Sequence, residues 1–152
     1  MDSKLVIRDM ETKDREQVLA LEDLFYHSDA VCHPVDPTVW ERCFDAAIEG
    51  TSTLRGLILE AEGEIAGYAY ITTFFATEVG GLCQMIEQIY IKDGYRGKGY
   101  GSRLIGWLEQ EYPDVRRMRL EVTEENPAAI RLYKKMGYEF LGYLQMVKEQ
   151  SV

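Results

Sequence analysis

Residues 95–101 read YRGKGYG, three glycines and two cations in seven positions, and the run SRLIGWLEQEY that follows has helical spacing. Anion binding is the chemistry open to such a stretch. Successive amides without side-chain bulk between them can converge on a phosphate, and the first turn of a helix adds unpaired N–H groups and its dipole. Arg96 and Lys98 add positive charge. The plainer alternative is a flexible strand-to-helix turn, because glycine punctuates such junctions. Two familiar phosphate motifs do not fit. A P-loop needs four residues between its first glycine and a Gly-Lys-Ser/Thr. The dinucleotide fingerprint is G-x-G-x-x-G, whereas Gly97, Gly99 and Gly101 give G-x-G-x-G. Only two strands and one helix are expected after Gln110, too few for the parallel sheet to which that fingerprint belongs.

A second candidate lies just upstream. In MIEQIYI, strict alternation puts Glu87 on one face with Ile89 and Ile91, and Gln88 and Tyr90 on the other. A carboxylate on a largely apolar face can accept a proton, directly or through a water, or anchor a cation. His27 and His33 lack a third ligand at telling spacing, so no metal site is expected. Cys32, Cys43 and Cys83 are odd in number and unpatterned, which reads as reduced thiols in a cytoplasmic protein.

The elements that must position these residues follow from periodicity. KLVIRDM reads as an edge strand. Thr12 is a cap candidate for a helix with Val18, Leu21, Leu24 and Phe25 on one side. Asp36 and Pro37 open a second helix, ended by Gly50, with Trp40, Phe44, Ala47 and Ile48 as its apolar stripe. LRGLILEAEGEIAGYAYITTFF gives two strands around a tight turn at Gly63, and LCQMIEQIYI a third. After the glycines, Tyr100, Leu104, Ile105, Leu108 and Tyr112 mark a helix that Pro113 stops. RRMRLEV alternates Met118, Leu120 and Val122. Asn126 and Pro127 open a last helix ended by Gly137, and YEFLGYLQMVK predicts a final strand. The expectation is one α+β domain over residues 1–152, with a mixed, largely antiparallel sheet.

The 152-residue chain is 46% hydrophobic and 28% charged, with a net charge of −9. The acidic balance argues against non-specific nucleic-acid binding, which requires Lys and Arg to neutralise phosphates. It suits a cationic substrate equally as well as a merely solvated surface. No stretch approaches the length of a membrane helix, and the start lacks the apolar run of a signal segment, so neither membrane nor nucleic acid is an expected partner.

EQIYIKDGYRGKGYGSRLI resembles the acetyl-CoA-binding core of the GCN5-related N-acetyltransferase superfamily, with Arg96, Gly99 and Gly101 at the marked positions of Arg/Gln-x-x-Gly-x-Gly/Ala. NPAAIRLYKKMGYE is similar to that superfamily's later motif. In the first of these blocks Asp93 is a departure, standing after the strand where many members carry proline. The resemblance implies the superfamily's fold and acetyl-CoA as cosubstrate. It implies cofactor binding by Ile89, Tyr90, Ile91, Arg96, Gly97, Lys98, Gly99, Tyr100, Gly101, Ser102, Asn126 and Tyr133. The implied chemistry is direct transfer to a primary amine in a ternary complex. Glu87 would receive the amine's proton, the N–H near Ile89 would stabilise the carbonyl oxygen, and Tyr133 would protonate the departing thiolate. The aromatic hairpin with its acidic residue is similar to the diamine and polyamine acetyltransferase group. That likeness implies an acceptor site containing Glu22, Tyr26, His27, Tyr70, Phe74 and Glu87. A protein or peptide amine as acceptor, and a non-catalytic coenzyme A-binding domain, remain the alternatives. Dimers are common in the superfamily, which adds a homodimer to the candidate assemblies, although no stretch specifies an interface.

Overall fold

The computed structural model describes residues 4–50 and 53–151. Chain order is β1 (Leu5–Asp9), α1 (Arg15–Tyr26), α2 (Pro37–Glu49), β2 (Leu54–Ala61), β3 (Glu64–Ala76), β4 (Gly81–Ile91), α3 (Tyr100–Glu111), β5 (Arg117–Leu120) and α4 (Pro127–Lys135). The strands form one sheet in sequence order. β1 to β4 pair antiparallel, and β5 joins β4 in parallel. This is the α+β, mixed and largely antiparallel sheet that the periodicity predicts.

Local chemistry explains most boundaries. Asp36 accepts from Thr38 N at 2.9 Å and Pro37 fills the first turn of α2, while Gly50 at φ 66 ends it. The β2–β3 hairpin turns on Glu62 (φ 55) and Gly63 (φ 81), both left-handed as a two-residue turn of this hand requires. Each face of the sheet carries its own core. Leu57, Leu59, Ile71 and Ile86 pack against Tyr100, Leu104, Ile105 and Leu108 of α3. On the other face Ile58, Tyr68, Tyr70 and Tyr90 meet Val18, Leu21 and Phe25 of α1 and Phe44 of α2. Burial of each such side chain contributes about 1.5–3 kcal/mol.

Two expectations fail. Thr12 caps nothing. Thr12–Asp14 is a single 3-10 turn in which Glu11 and Asp14 cap one another, and α1 starts after it. The Asp14 carboxylate is required elsewhere as well. Arg8 grips it through Nη1 at 2.8 Å and Nη2 at 3.0 Å while donating from Nε to Glu60 at 2.8 Å. Burial alone would raise the Asp14 carboxyl, but the bonds from Arg8 and the Glu11 amide prevail and hold it below its usual range.

The second failure is the final strand. Residues 139–151 form neither helix nor strand, and Leu144, Met146 and Val147 are almost fully exposed. The segment is apolar on both faces, the pattern of a strand covered on both sides. Here it meets its neighbours through side chains such as Gln145 with Glu121 (3.3 Å) and Lys134 over the Phe140 ring.

Asp14→Ala should destabilise the fold by about 2 kcal/mol in urea unfolding at neutral pH, since it orphans charge-assisted bonds from Arg8. Because the native carboxyl titrates low, this contribution is present at neutral pH and fades as the pH falls into the acidic range, so the mutant and parent curves should converge there.

Candidate active site

The β4–β5 ladder comprises Cys83↔Arg117 to Ile86↔Leu120 and then stops. From Glu87 to Ile91 no described strand pairs with β4 on that side, although β3 continues on the other. At the same point β4 bulges. Tyr70 pairs with Gln88 and Ile71 with Ile86, so Glu87 is the extra residue. The bulge overturns the expected alternation. Ile86, Ile89 and Ile91 all pack on the α3 face. Glu87 is exposed, accepts a 2.7 Å bond from Thr72 Oγ1, and its charge acts on Tyr26 and Cys43 of the α1–α2 layer. It therefore shares a face with Gln88 and not with Ile89 or Ile91. No local sequence signal marks this bulge.

The open edge leads into the glycine stretch. Gly97 and Gly99 have φ of 77 and 78, and a Cβ built on either would meet nothing within 4 Å. Glycine is needed there for backbone hand, and the space above it is open. Gly99 caps α3 in the left-handed conformation. Gly101 differs: it lies inside α3, where a Cβ would stand 3.5 Å from Leu132 Cδ2. The cations are partly engaged. Arg96 donates from Nε to the Ile91 carbonyl at 2.9 Å, pairs with Asp93 at 2.7 Å and lies over the Tyr90 ring. Lys98 lies over Tyr95. Tyr100 is buried in the α3 core and the Tyr90 ring in the opposite one, so only their backbones can face a ligand. Ser102 is half-buried in the first turn of α3.

Asn126 caps α4, its Oδ1 accepting from Ala129 N at 3.4 Å. Tyr133 packs on the α3-side core with its ring 5.9 Å from that of Tyr138, and burial raises its hydroxyl above the ordinary tyrosine range. It also borders a cavity of about 910 Å³ walled by the β3–β4 tip, β5, α4 and the C-terminal segment, which Phe74 enters from β3. Neither Glu87 nor the glycine stretch lines that cavity, so it brings Phe74 to Tyr133 and leaves the other candidates outside.

The acceptor-side residues gather differently. Glu22 is fully buried and neither carboxyl oxygen makes a hydrogen bond; burial pushes its carboxyl up to about 8. Tyr26 stacks on Trp40 at 5.7 Å and accepts from Gln88 Nε2 at 2.7 Å, while Gln88 Oε1 accepts from Tyr68. The Tyr70 hydroxyl and Trp40 Nε1 are buried without a partner. Gln88 and Trp40 were not distinguishable from scaffold residues by type or spacing. His27 does not join the group. It is exposed at the end of α1, with Nδ1 2.7 Å from the Asp23 carbonyl, because a helix end turns its ring outward. Among the described residues no cluster of three or more His, Cys, Asp or Glu side chains is placed to hold a metal ion. Nor is any helix long and apolar enough to cross a membrane.

A model of the acetyltransferase (GNAT) family matches residues 16–138. The chain belongs to that family. Among its members, the spermine/spermidine N(1)-acetyltransferase of Bacillus subtilis (strain 168) is 30% identical over 99 residues. That match spans 58% of this chain and 65% of the Bacillus protein, just under two thirds of its length. The L-methionine sulfoximine/L-methionine sulfone acetyltransferase of Pseudomonas paraeruginosa is 29% identical over 95% of this chain and 86% of its own. An aminoglycoside N-acetyltransferase in complex with CoA superposes with a TM-score of 0.78 at 16% identity, covering 99% of this chain and 98% of its own, a likeness of fold alone.

Two stability measurements check this geometry. Gly99→Ala should cost about 1 kcal/mol through its left-handed backbone, whereas Gly101→Ala should be neutral or better, since alanine gains up to about 1 kcal/mol within a helix; thermal unfolding separates them. For Glu22, the native carboxyl keeps its proton up to about 8 and the unfolded one loses it near 4.5. The native state thus binds more protons between those values, and stability must decline as pH rises through them. Urea midpoints across that range should fall for the parent and stay flatter for Glu22→Gln.

Proposed function

We propose that the chain is an acetyl-CoA-dependent N-acetyltransferase whose acceptor is a primary amine, in particular a small cationic diamine or polyamine. One observation carries this reading. The unpaired β4 edge from Glu87 to Ile91 leads, through one 3-10 turn at Asp93–Tyr95, into a left-handed glycine turn at the start of a twelve-residue helix, with a bulged carboxylate on the opposite face. An extended amide-bearing chain ending in a pyrophosphate suits that edge and turn.

Acetyl-CoA would supply the acetyl group as a thioester, whose carbonyl is open to attack by an amine. The amides of Gly97, Lys98, Gly99, Gly101 and Ser102, with the Lys98 charge, would hold the pyrophosphate. The backbone of Ile89 to Ile91 would pair with the pantetheine amides, and the Asn126 carboxamide nitrogen is the group left to meet a ligand carbonyl. An alkylammonium keeps its proton to about pH 10, so Glu87 must remove it before nitrogen can attack. The Ile89 N–H would meet the carbonyl oxygen as charge gathers there. Tyr133, held protonated by burial, would return a proton to the departing sulfur. His27 drops out of the acceptor site, and Glu22, Tyr26 and Tyr70 form its inner wall. The polyamine reading draws on the Bacillus relative. A second reading, an acceptor with an amino-acid amine, draws on the longer match to the methionine sulfoximine enzyme.

Turnover of acetyl-CoA should be screened against diamines, polyamines, amino acids, aminoglycosides and short peptides. Preference for peptides, or no turnover despite coenzyme A binding, would overturn the proposal. Glu87→Gln and Tyr133→Phe should each lower kcat about 100-fold while calorimetric affinity for coenzyme A stays nearly constant. Parental turnover at every pH in Glu87→Gln would remove that residue from the mechanism.

A further inference from the structure

Glu22 contributes nothing that the fold requires. It stands on the inner side of α1, fully buried, with both carboxyl oxygens free of hydrogen bonds. Burying a polar group without a hydrogen bond costs free energy, so the fold gains nothing from this carboxyl. Its electrostatic neighbours come from each surrounding element: Tyr26 on α1, Cys43 on α2, and Tyr68 and Tyr70 on β3, with the Glu87 charge of β4 reaching Tyr26 and Cys43. Arg42 acts on Cys43, and what raises the Glu22 carboxyl is its burial. Glu22 is an inward carboxyl with no salt-bridge partner among the described residues. The buried Tyr70 hydroxyl lacks a partner as well, and the stacked rings of Tyr26 and Trp40 adjoin the same layer.

We propose that Glu22, Tyr70 and the Tyr26–Trp40 pair form a subsite for the distal ammonium of a diamine acceptor, leaving Glu87 to receive the amine that reacts. This deepens the acceptor reading given above and rests on it. An ammonium group has three donors and no acceptor. The two Glu22 oxygens and the Tyr70 oxygen offer three acceptors, and aromatic faces attract the remaining charge. The subsite is closed in the free protein. Tyr26, one turn along α1 from Glu22 and half-buried, is the member that meets solvent, and entry passes its ring. The protons balance simply. With its carboxyl pushed up to about 8, Glu22 is neutral before binding. Pairing with an ammonium ionises it, and one proton leaves to solvent. A monoamine of the same length brings no second charge and draws no such proton.

The test uses the whole chain and two acceptors of equal carbon length, diaminobutane and butylamine. The ratio of their kcat/KM values should favour the diamine, and Glu22→Gln should reduce that ratio about 30-fold, as loss of a charge-assisted contact implies. Calorimetry of diaminobutane at neutral pH, in two buffers of different ionisation enthalpy, should show proton release by the parent and none by Glu22→Gln. Urea unfolding of Glu22→Gln and Glu22→Met should show both at least as stable as the parent, which removes misfolding as the cause. An unchanged ratio in Glu22→Gln, or diamine binding without proton release, overturns the subsite. If no amine is acetylated, the transferase proposal falls, and proton release on diamine binding alone decides for or against the subsite.

Discussion

The β4–β5 ladder ends after four residue pairs, at Ile86 and Leu120, and the candidate site depends on that ending. A parallel strand that continued alongside β4 would satisfy the amides and carbonyls of Glu87 to Ile91 within the sheet. Because β5 stops, the alternate groups not bonded to β3 look outward while β3 still holds β4 from the other side. The bulge at Glu87 falls at the same point and puts Glu87 beside Gln88 on one face while Ile86 and Ile89 keep to the other. Isoleucines continue into the α3 core, and an exposed carboxylate stands on the α1–α2 side. One local irregularity thus separates an edge suited to a cofactor from a face suited to an acceptor.

The two cores make this separation durable. α3 and its tyrosine anchor hold the glycine turn against one face, and α1 and α2 enclose the aromatic layer on the other. The layers are tied at their margins. Arg8 joins the approach to α1 to β2 through Asp14 and Glu60, and Thr123 donates to the Asp29 carbonyl, linking the chain after β5 to the loop after α1. Asp93, where the resembled pattern has proline, pairs with Arg96 and places a competing anion beside the glycine turn.

Much of this was legible because it rests on backbone chemistry that particular residues enforce. Asp36, Pro37, Gly50, Gly63, Asn126 and Gly137 each mark a boundary through a cap or a left-handed φ, and each stands where expected. The glycine stretch was readable for the same reason. What was not readable depends on long-range context. A bulge has no residue signature, so alternation assigned Glu87 to the wrong face. Thr12 lost its capping role to Asp14 because Arg8, six residues earlier, recruits that carboxylate. The last strand failed because a run that is apolar on both faces cannot reveal whether covering layers exist. The site residues gained from resemblance could be named, yet burial of Glu22 and the outward turn of His27 came only from packing.

The uncovered segment after α4 has a bearing on how copies of the chain behave toward each other. Among the described residues β5 ends the sheet with an unpaired flank; Phe140 lines a cavity with it, and Leu144 and Met146 farther along the same segment are open to water. An open strand edge next to apolar side chains is a template for intermolecular pairing. Opposing it is the net charge of −9, which makes encounters between copies repulsive over the distance that salt permits. Colloidal stability of this chain is therefore an electrostatic property carried by the whole surface, and ionic strength sets how closely two exposed edges can approach.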